Sequence, residues 1–172
     1  MKKLSLMIVF LLVASIGSQV MAADAIWRDD FDEEELEGWY DNKTDESFRA
    51  VIVMGKKKGT ADVIQKGKGD WGKVAFVVMN VDLDTYNIVR VKVTKVDKNG
   101  DYKVLAVSKD WSDSYVVIDR SKGKGTHKGD IKKATGWKGM TTFNIVVVVE
   151  GKGKKVTLDW IELVSEEEEK SK

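Results

Sequence analysis

The sequence predicts an all-β fold, a two-sheet antiparallel β-sandwich of the jelly-roll type, on three observations. Short apolar or alternating runs recur with turn signals between them, at intervals of roughly 8–12 residues. No helical period is sustained over three turns. Two runs, 74–81 and 140–150, are apolar on both parities, as strands are when covered above and below, while others alternate. That mixture favours two stacked sheets.

The chain opens with Met1-Lys-Lys3, the apolar run Leu4–Ile16 and small residues up to Ala22. This is the pattern of a secretory signal peptide cut after Ala22, since the apolar run is too short to span a bilayer. The chain thus divides into a signal peptide (1–22), a sandwich domain (23–165) and a charged, disordered tail (166–172). The expected destination is the periplasm or the exterior of a bacterial cell. No cysteine is present for lipid attachment or disulfides, so the core alone must hold the domain together. No second apolar run reaches membrane length, and no membrane insertion is expected. The chain carries 29 basic and 28 acidic residues, and loss of Lys2 and Lys3 leaves 27 against 28. Such neutrality argues against bulk attraction to nucleic acid or anionic lipid.

The elements follow in order. Ile26–Asp32 reads as a short first strand ending in carboxylates, and Gly38-Trp39-Tyr40 restarts an extended segment. Phe48–Met54 and Ala61–Gln65 are strands joined by the turn Gly55-Lys-Lys-Lys-Gly59. Val74–Val81 is apolar on both faces. In the next strand Val89, Val91 and Val93 face inward, with Arg90, Lys92 and Thr94 toward water. Asp97-Lys-Asn-Gly100 is a hairpin turn, because Asn-Gly tolerates positive φ. Tyr102–Lys109 and Tyr115–Asp119 are strands around the loop 110–113. Ser121–Gly129 reads as a Lys/Gly loop holding the only histidine, His127, and Asp130–Ala134 as a short strand or turn.

The last hairpin, Met140–Val164, is the most informative. Phe143, Ile145, Val147 and Val149 share one face of its first arm. In the return arm Val156 and Leu158 have one parity, Ile161 and Leu163 the other. No continuous strand buries all four on one side, so a β-bulge near Asp159–Trp160 must reset the phase.

Trp27-x-x-x-Phe31 with Gly38-Trp39, then Val81-Asp-Leu-x-x-Tyr86, then Gly129-Asp-Ile131, Thr135-Gly136 and Val156-Thr-Leu-Asp-Trp-Ile-Glu-Leu163 resemble the jelly-roll carbohydrate-binding modules with the galactose-binding-like fold. The resemblance spans Ile26–Val164. It implies a sandwich sealed where the first strand meets the last, and one structural Ca²⁺ held by Asp159 with Asp30 or Asp32. The same acidic residues also suit a plain polar strand end.

Sugar recognition needs flat aromatic platforms with polar groups around them. The candidates are Trp71, Trp111, Tyr115 and Trp137, which sit among polar neighbours, with Asp110, Asp113 and Lys109 as a polar rim. Trp39 and Tyr40 form a lesser pair, and Trp160 reads as structural. Large aromatics also pack in or cap cores, so each candidate keeps that second reading. The Lys-Gly loops at 55–59, 66–69, 122–125 and 151–155 read as soluble turns that guard sheet edges, or as contacts for an acidic polysaccharide. A lone histidine without cysteine speaks against a transition-metal site. No nucleophile motif surrounds Ser108, Ser112, Ser114 or Ser121, so the chain reads as non-enzymatic. A two-carboxylate glycosidase is the distant alternative. The reading is a secreted or periplasmic, non-catalytic carbohydrate-binding sandwich whose partner is a polysaccharide or other glycan. Its alternative is a structural subunit of the bacterial cell envelope or a periplasmic sheath, in homo- or hetero-assembly.

Overall fold

A computed structural model describes residues 26–33, 36–41, 46–119 and 123–167. The signal peptide expected at 1–22 and the end of the tail, 168–172, lie outside them. The elements are β1 (Trp27–Asp29), β2 (Trp39–Asp41), β3 (Ala50–Met54), β4 (Ala61–Gln65), β5 (Trp71–Asp82), β6 (Ile88–Val96), β7 (Asp101–Ser108), β8 (Ser114–Ile118), β9 (Gly125–Asp130), α1 (Ile131–Thr135), β10 (Met140–Glu150) and β11 (Lys155–Val164).

They form two antiparallel sheets. One has the order β3-β4-β11-β6-β9, with β1 also paired to β11; the other has the order β2-β5-β10-β7-β8. Valines dominate the interior between them: Val74, Val89, Val91, Val93, Val104, Val147, Val149 and Val156 belong to one buried cluster with Phe143, Ile145 and Tyr102. β-branched side chains suit a pleated surface packed on one face, which is why this valine-rich chain extends.

The phase reset in β11 is present. The β6–β11 register slips on both sides of Leu158, and Asp159 has no residue opposite it in the β6 register. Val156, Leu158, Ile161 and Leu163 are consequently all buried in the core. The first strand closes the sandwich as expected, with Trp27 opposite Leu163 and Asp29 opposite Ile161. An aromatic group plugs that seam: Phe76 lies 4.6 Å from Trp27 and 5.6 Å from Trp39, and the Trp39 indole N–H donates to Asp29 at 2.6 Å. The Asp97–Gly100 turn also forms, with Asn99 at φ 60° and the Gly100 N–H donating to the Asp97 carbonyl at 2.9 Å.

Three local expectations need correction. Residues 125–130 are strand β9, pairing with β6, and not a loop. His127 lies opposite Val91 and meets the Tyr102 ring edge-on, so the core face holds it. Residues 131–135 form a single helical turn capped by the Asp130 carboxylate and ended by Gly136 at φ 76°. Arg90 does not face water. It is buried because Glu162, adjacent on β11, binds it while also accepting from Arg28 at 2.7 Å. Burial alone would raise the Glu162 carboxyl, but the two guanidiniums outweigh it and hold the group below its ordinary range.

Candidate functional site

β10 is apolar on both faces, and its second face is covered by side chains in place of another layer of strands. Ala75 of β5, Val107 of β7 and Val146 and Val148 of β10 form a small buried floor on the outside of the five-stranded sheet. Register places Tyr40, Ala75 and Val146 in one cross-strand row, with Lys73, Val148 and Lys103 in the next. Trp71, Glu150 and Asp101 form the row beyond.

Two aromatic side chains reach over this floor from opposite edges. Tyr40 comes from edge strand β2, and Trp111 from the hairpin between β7 and β8; their rings meet edge-to-face at 6.2 Å. Both stay open to solvent, Tyr40 at 37% and Trp111 at 40% exposure. Beneath them Asn144, at 2% exposure, joins the two edges. Its Oδ1 accepts from the Tyr40 hydroxyl at 2.6 Å, and its Nδ2 donates to the Ser108 carbonyl at 3.0 Å. Partial burial pushes the Tyr40 phenol above its ordinary range. The Lys73 ammonium rests 4.5 Å from the centre of the Trp111 ring. At the end of the face Trp71 stacks on Phe48 with centroids 4.1 Å apart.

Trp111 adopts φ 64°, a left-handed conformation that side chains with a Cβ rarely take. The hairpin holds it there. Asp110 accepts from the Ser108 hydroxyl at 2.7 Å, the Ser112 hydroxyl at 2.9 Å and the Ser112 N–H at 3.2 Å. The Trp111 N–H itself donates to the Ser108 carbonyl at 2.9 Å. The Ser108 contact, then those from Ser112, keep the Asp110 carboxyl below its usual range. Asp113 donates its N–H to the Ser108 hydroxyl at 3.0 Å. Asp110 and Asp113 therefore position Trp111, and Lys109 is exposed beside them.

The four aromatics read from the sequence part into two pairs. Trp71 and Trp111 lie on the outer face. Tyr115 and Trp137 meet edge-to-face at 5.6 Å elsewhere, where Trp137 also packs on core residue Phe143 at 6.1 Å. Trp137 lines an open hollow of about 270 Å³ with Ser108, Lys138, Thr141 and Thr142. Trp160 lies on the outside of the other sheet, between the guanidiniums of Arg28 and Arg90 at 5.0 and 5.8 Å. Tyr40 belongs to the lesser pair read from the sequence, while Lys73 and Asn144 are contributors that the sequence does not single out. The alternation Trp71-x-Lys73-x-Ala75, and Asn144 beside Val146 and Val148 on the outer parity of β10, are the local signals for those two.

Two of the three carboxylates read as calcium ligands have cationic neighbours. Asp159 pairs with Lys92 at 2.8 Å, and Asp30 lies 3.9 Å from Arg28. Asp32 approaches Gly59 on the turn after β3. Among the described residues no three His, Cys, Asp or Glu side chains converge so as to hold a metal ion. Calcium needs six to eight oxygen ligands, and this donor set as arranged does not fit it.

The fold and this face define a jelly-roll sandwich with an aromatic-lined outer sheet. The same fold occurs in the CBM22-1 xylan-binding domain of Paenibacillus barcinonensis Xyn10C, with a TM-score of 0.54 and 12% identity over 84% of this chain and 97% of that one. It also occurs in TmCBM61, solved with β-1,4-galactotriose, with a TM-score of 0.50 and 14% identity over 80% of this chain and 95% of that one. No protein-family model and no curated protein matches the sequence. At such identities the likeness is one of fold, the jelly roll of carbohydrate-binding modules.

Proposed function

We propose that this chain is a non-catalytic carbohydrate-binding domain that takes a glycan on the outer face of its five-stranded sheet and works outside the cytoplasm. The observation that carries the reading is the Tyr40–Trp111 pair. Two aromatic rings from opposite edges are held, by Asn144 and by the Asp110 hairpin, over a sheet face they leave partly uncovered. Rigid, half-exposed aromatic rings with polar neighbours suit the apolar face of a pyranose, whose hydroxyls then reach the surrounding donors. The structural neighbours are a xylan-binding domain and a module bound to a galactotriose, which makes β-linked polysaccharide the first class to test. The export leader expected at residues 1–22 would agree with a polymeric substrate found outside the cell.

The test is affinity electrophoresis through gels containing xylan, β-1,4-galactan, mannan or β-glucan. Retardation by at least one polymer is expected, reduced about tenfold or more in Trp111→Ala and Tyr40→Ala, since losing one stacking aromatic costs on the order of 1–3 kcal/mol. Binding that is indifferent to both substitutions would place any glycan site elsewhere.

A further inference from the structure

Two lysines around the outer face are matched. Lys103 pairs with Glu150 at 2.6 Å and Lys68 with Glu46 at 2.6 Å. Lys73 is the exception at the centre. The residue is half-buried with its ammonium over the Trp111 ring, and among the described residues no carboxylate lies within salt-bridge distance of it. Its row neighbours are Val148 and then Lys103, which is already neutralised, so nothing beside it supplies a compensating charge. Exposed Arg49 lies across an isolated bridge from it and adds to the positive side. The acids of the next row are Glu150, which pairs with Lys103, and Asp101, which has β10 between it and Lys73. Removing an ammonium partly from water with no counter-ion is unfavourable, and a ligand anion reverses that cost.

Resting on the carbohydrate reading above, we infer that the glycan taken by this face is acidic, with a carboxylate or sulfate seated against Lys73 while its ring lies by Trp111. A lysine ammonium is a point charge and serves either anion. The Lys-Gly loops 66–69 and 151–154 adjoin the Trp71 end, tied together by Gln65, and supply a weaker positive rim without a fixed geometry.

Matched polymer pairs separate the sources. Polygalacturonate is compared with its carboxyl-reduced form, and a sulfated galactan with its desulfated form, by affinity electrophoresis at physiological salt. The wild type is expected to bind at least one acidic member about tenfold or more tightly than its neutral match. That ratio should fall to near one in Lys73→Met and persist in Lys73→Arg. Methionine keeps an unbranched chain against the indole, and Lys73→Gln serves if Lys73→Met melts lower than the wild type. Whichever pair shows the ratio names the substituent. Equal binding of acidic and neutral members, abolished by Trp111→Ala, overturns the acidic inference and leaves the carbohydrate reading standing. A preference that survives Lys73→Met but vanishes in Lys66→Ser/Lys152→Ser overturns it too, by assigning the charge to the loops. No binding to any polymer overturns both.

Discussion

Asn144 couples the two edges of the proposed site, and its replacement tests the geometry without any ligand. Tyr40→Phe removes the 2.6 Å hydrogen bond to Asn144 and little else, because the hydroxyl lies on a residue still 37% exposed. The expected cost is about 1 kcal/mol. Asn144→Ala removes that bond and the 3.0 Å bond to the Ser108 carbonyl, which keeps the Trp111 N–H as a donor, and it truncates a side chain that is 2% exposed. Two lost hydrogen bonds and the void left by a buried side chain together cost about 3 kcal/mol. For a domain of this size that corresponds to a drop of roughly 6–12 °C in Tm, against about 2–4 °C for Tyr40→Phe. The double variant should match Asn144→Ala to within a few tenths of a kcal/mol, giving a coupling energy near 1 kcal/mol. Thermal and urea denaturation followed by circular dichroism read all four proteins. Strict additivity, or an Asn144→Ala variant that melts with the wild type, would refute the coupling of Tyr40 to the Trp111 hairpin through this amide.

Further outcomes follow from other parts of the structure. The Glu162 carboxyl is held below its ordinary value, so its contribution is complete above that value and is lost as pH falls through the folded-state pKa. Glu162→Gln should cost about 3 kcal/mol at neutral pH by removing the carboxylate charge that buried Arg90 and Arg28 share, and should flatten the decline of Tm below about pH 4.5. A Glu162→Gln variant whose acid limb parallels the wild type would contradict this. A Cβ at Gly129 would sit 2.1 Å from the Val117 carbonyl oxygen where β8 meets β9, so Gly129→Ala should lose about 2 kcal/mol or more. Undiminished stability would mean that the two strands do not approach so closely. With Asp159 on Lys92 and Asp30 near Arg28, Tm should be the same in EDTA and in millimolar CaCl₂. A calcium-dependent rise of several degrees would restore the calcium expectation.

What was legible in the sequence depended on whether the signal was local. The bulge at Asp159 was legible because four apolar residues of conflicting parity in one strand have a single geometric solution. The β10 strand was legible for the same reason, as was the Asn99 turn. β9 was not, since Gly125–Asp130 has neither alternation nor β-branched enrichment. It is strand because the β6 edge pairs with it, which is a tertiary cause. α1 is too short to show a period. Arg90 was read as solvated because alternation cannot reveal that Glu162 stands beside it on β11. The aromatic candidates had equally polar neighbours along the chain, yet Trp111 lies open on the face while Trp137 packs on Phe143. Tyr40, Lys73 and Asn144 come from three strands, and only register shows that they meet.

The six tryptophan indole N–H signals offer the most direct measurement, assigned by single Trp→Phe substitution and followed by ¹⁵N–¹H NMR while a bound oligosaccharide is titrated. Trp111 should shift most and Trp71 next, with Trp27, Trp39, Trp137 and Trp160 unmoved. A titration that shifts Trp137 or Trp160 and leaves Trp111 in place would contradict a glycan site on the outer face of the five-stranded sheet.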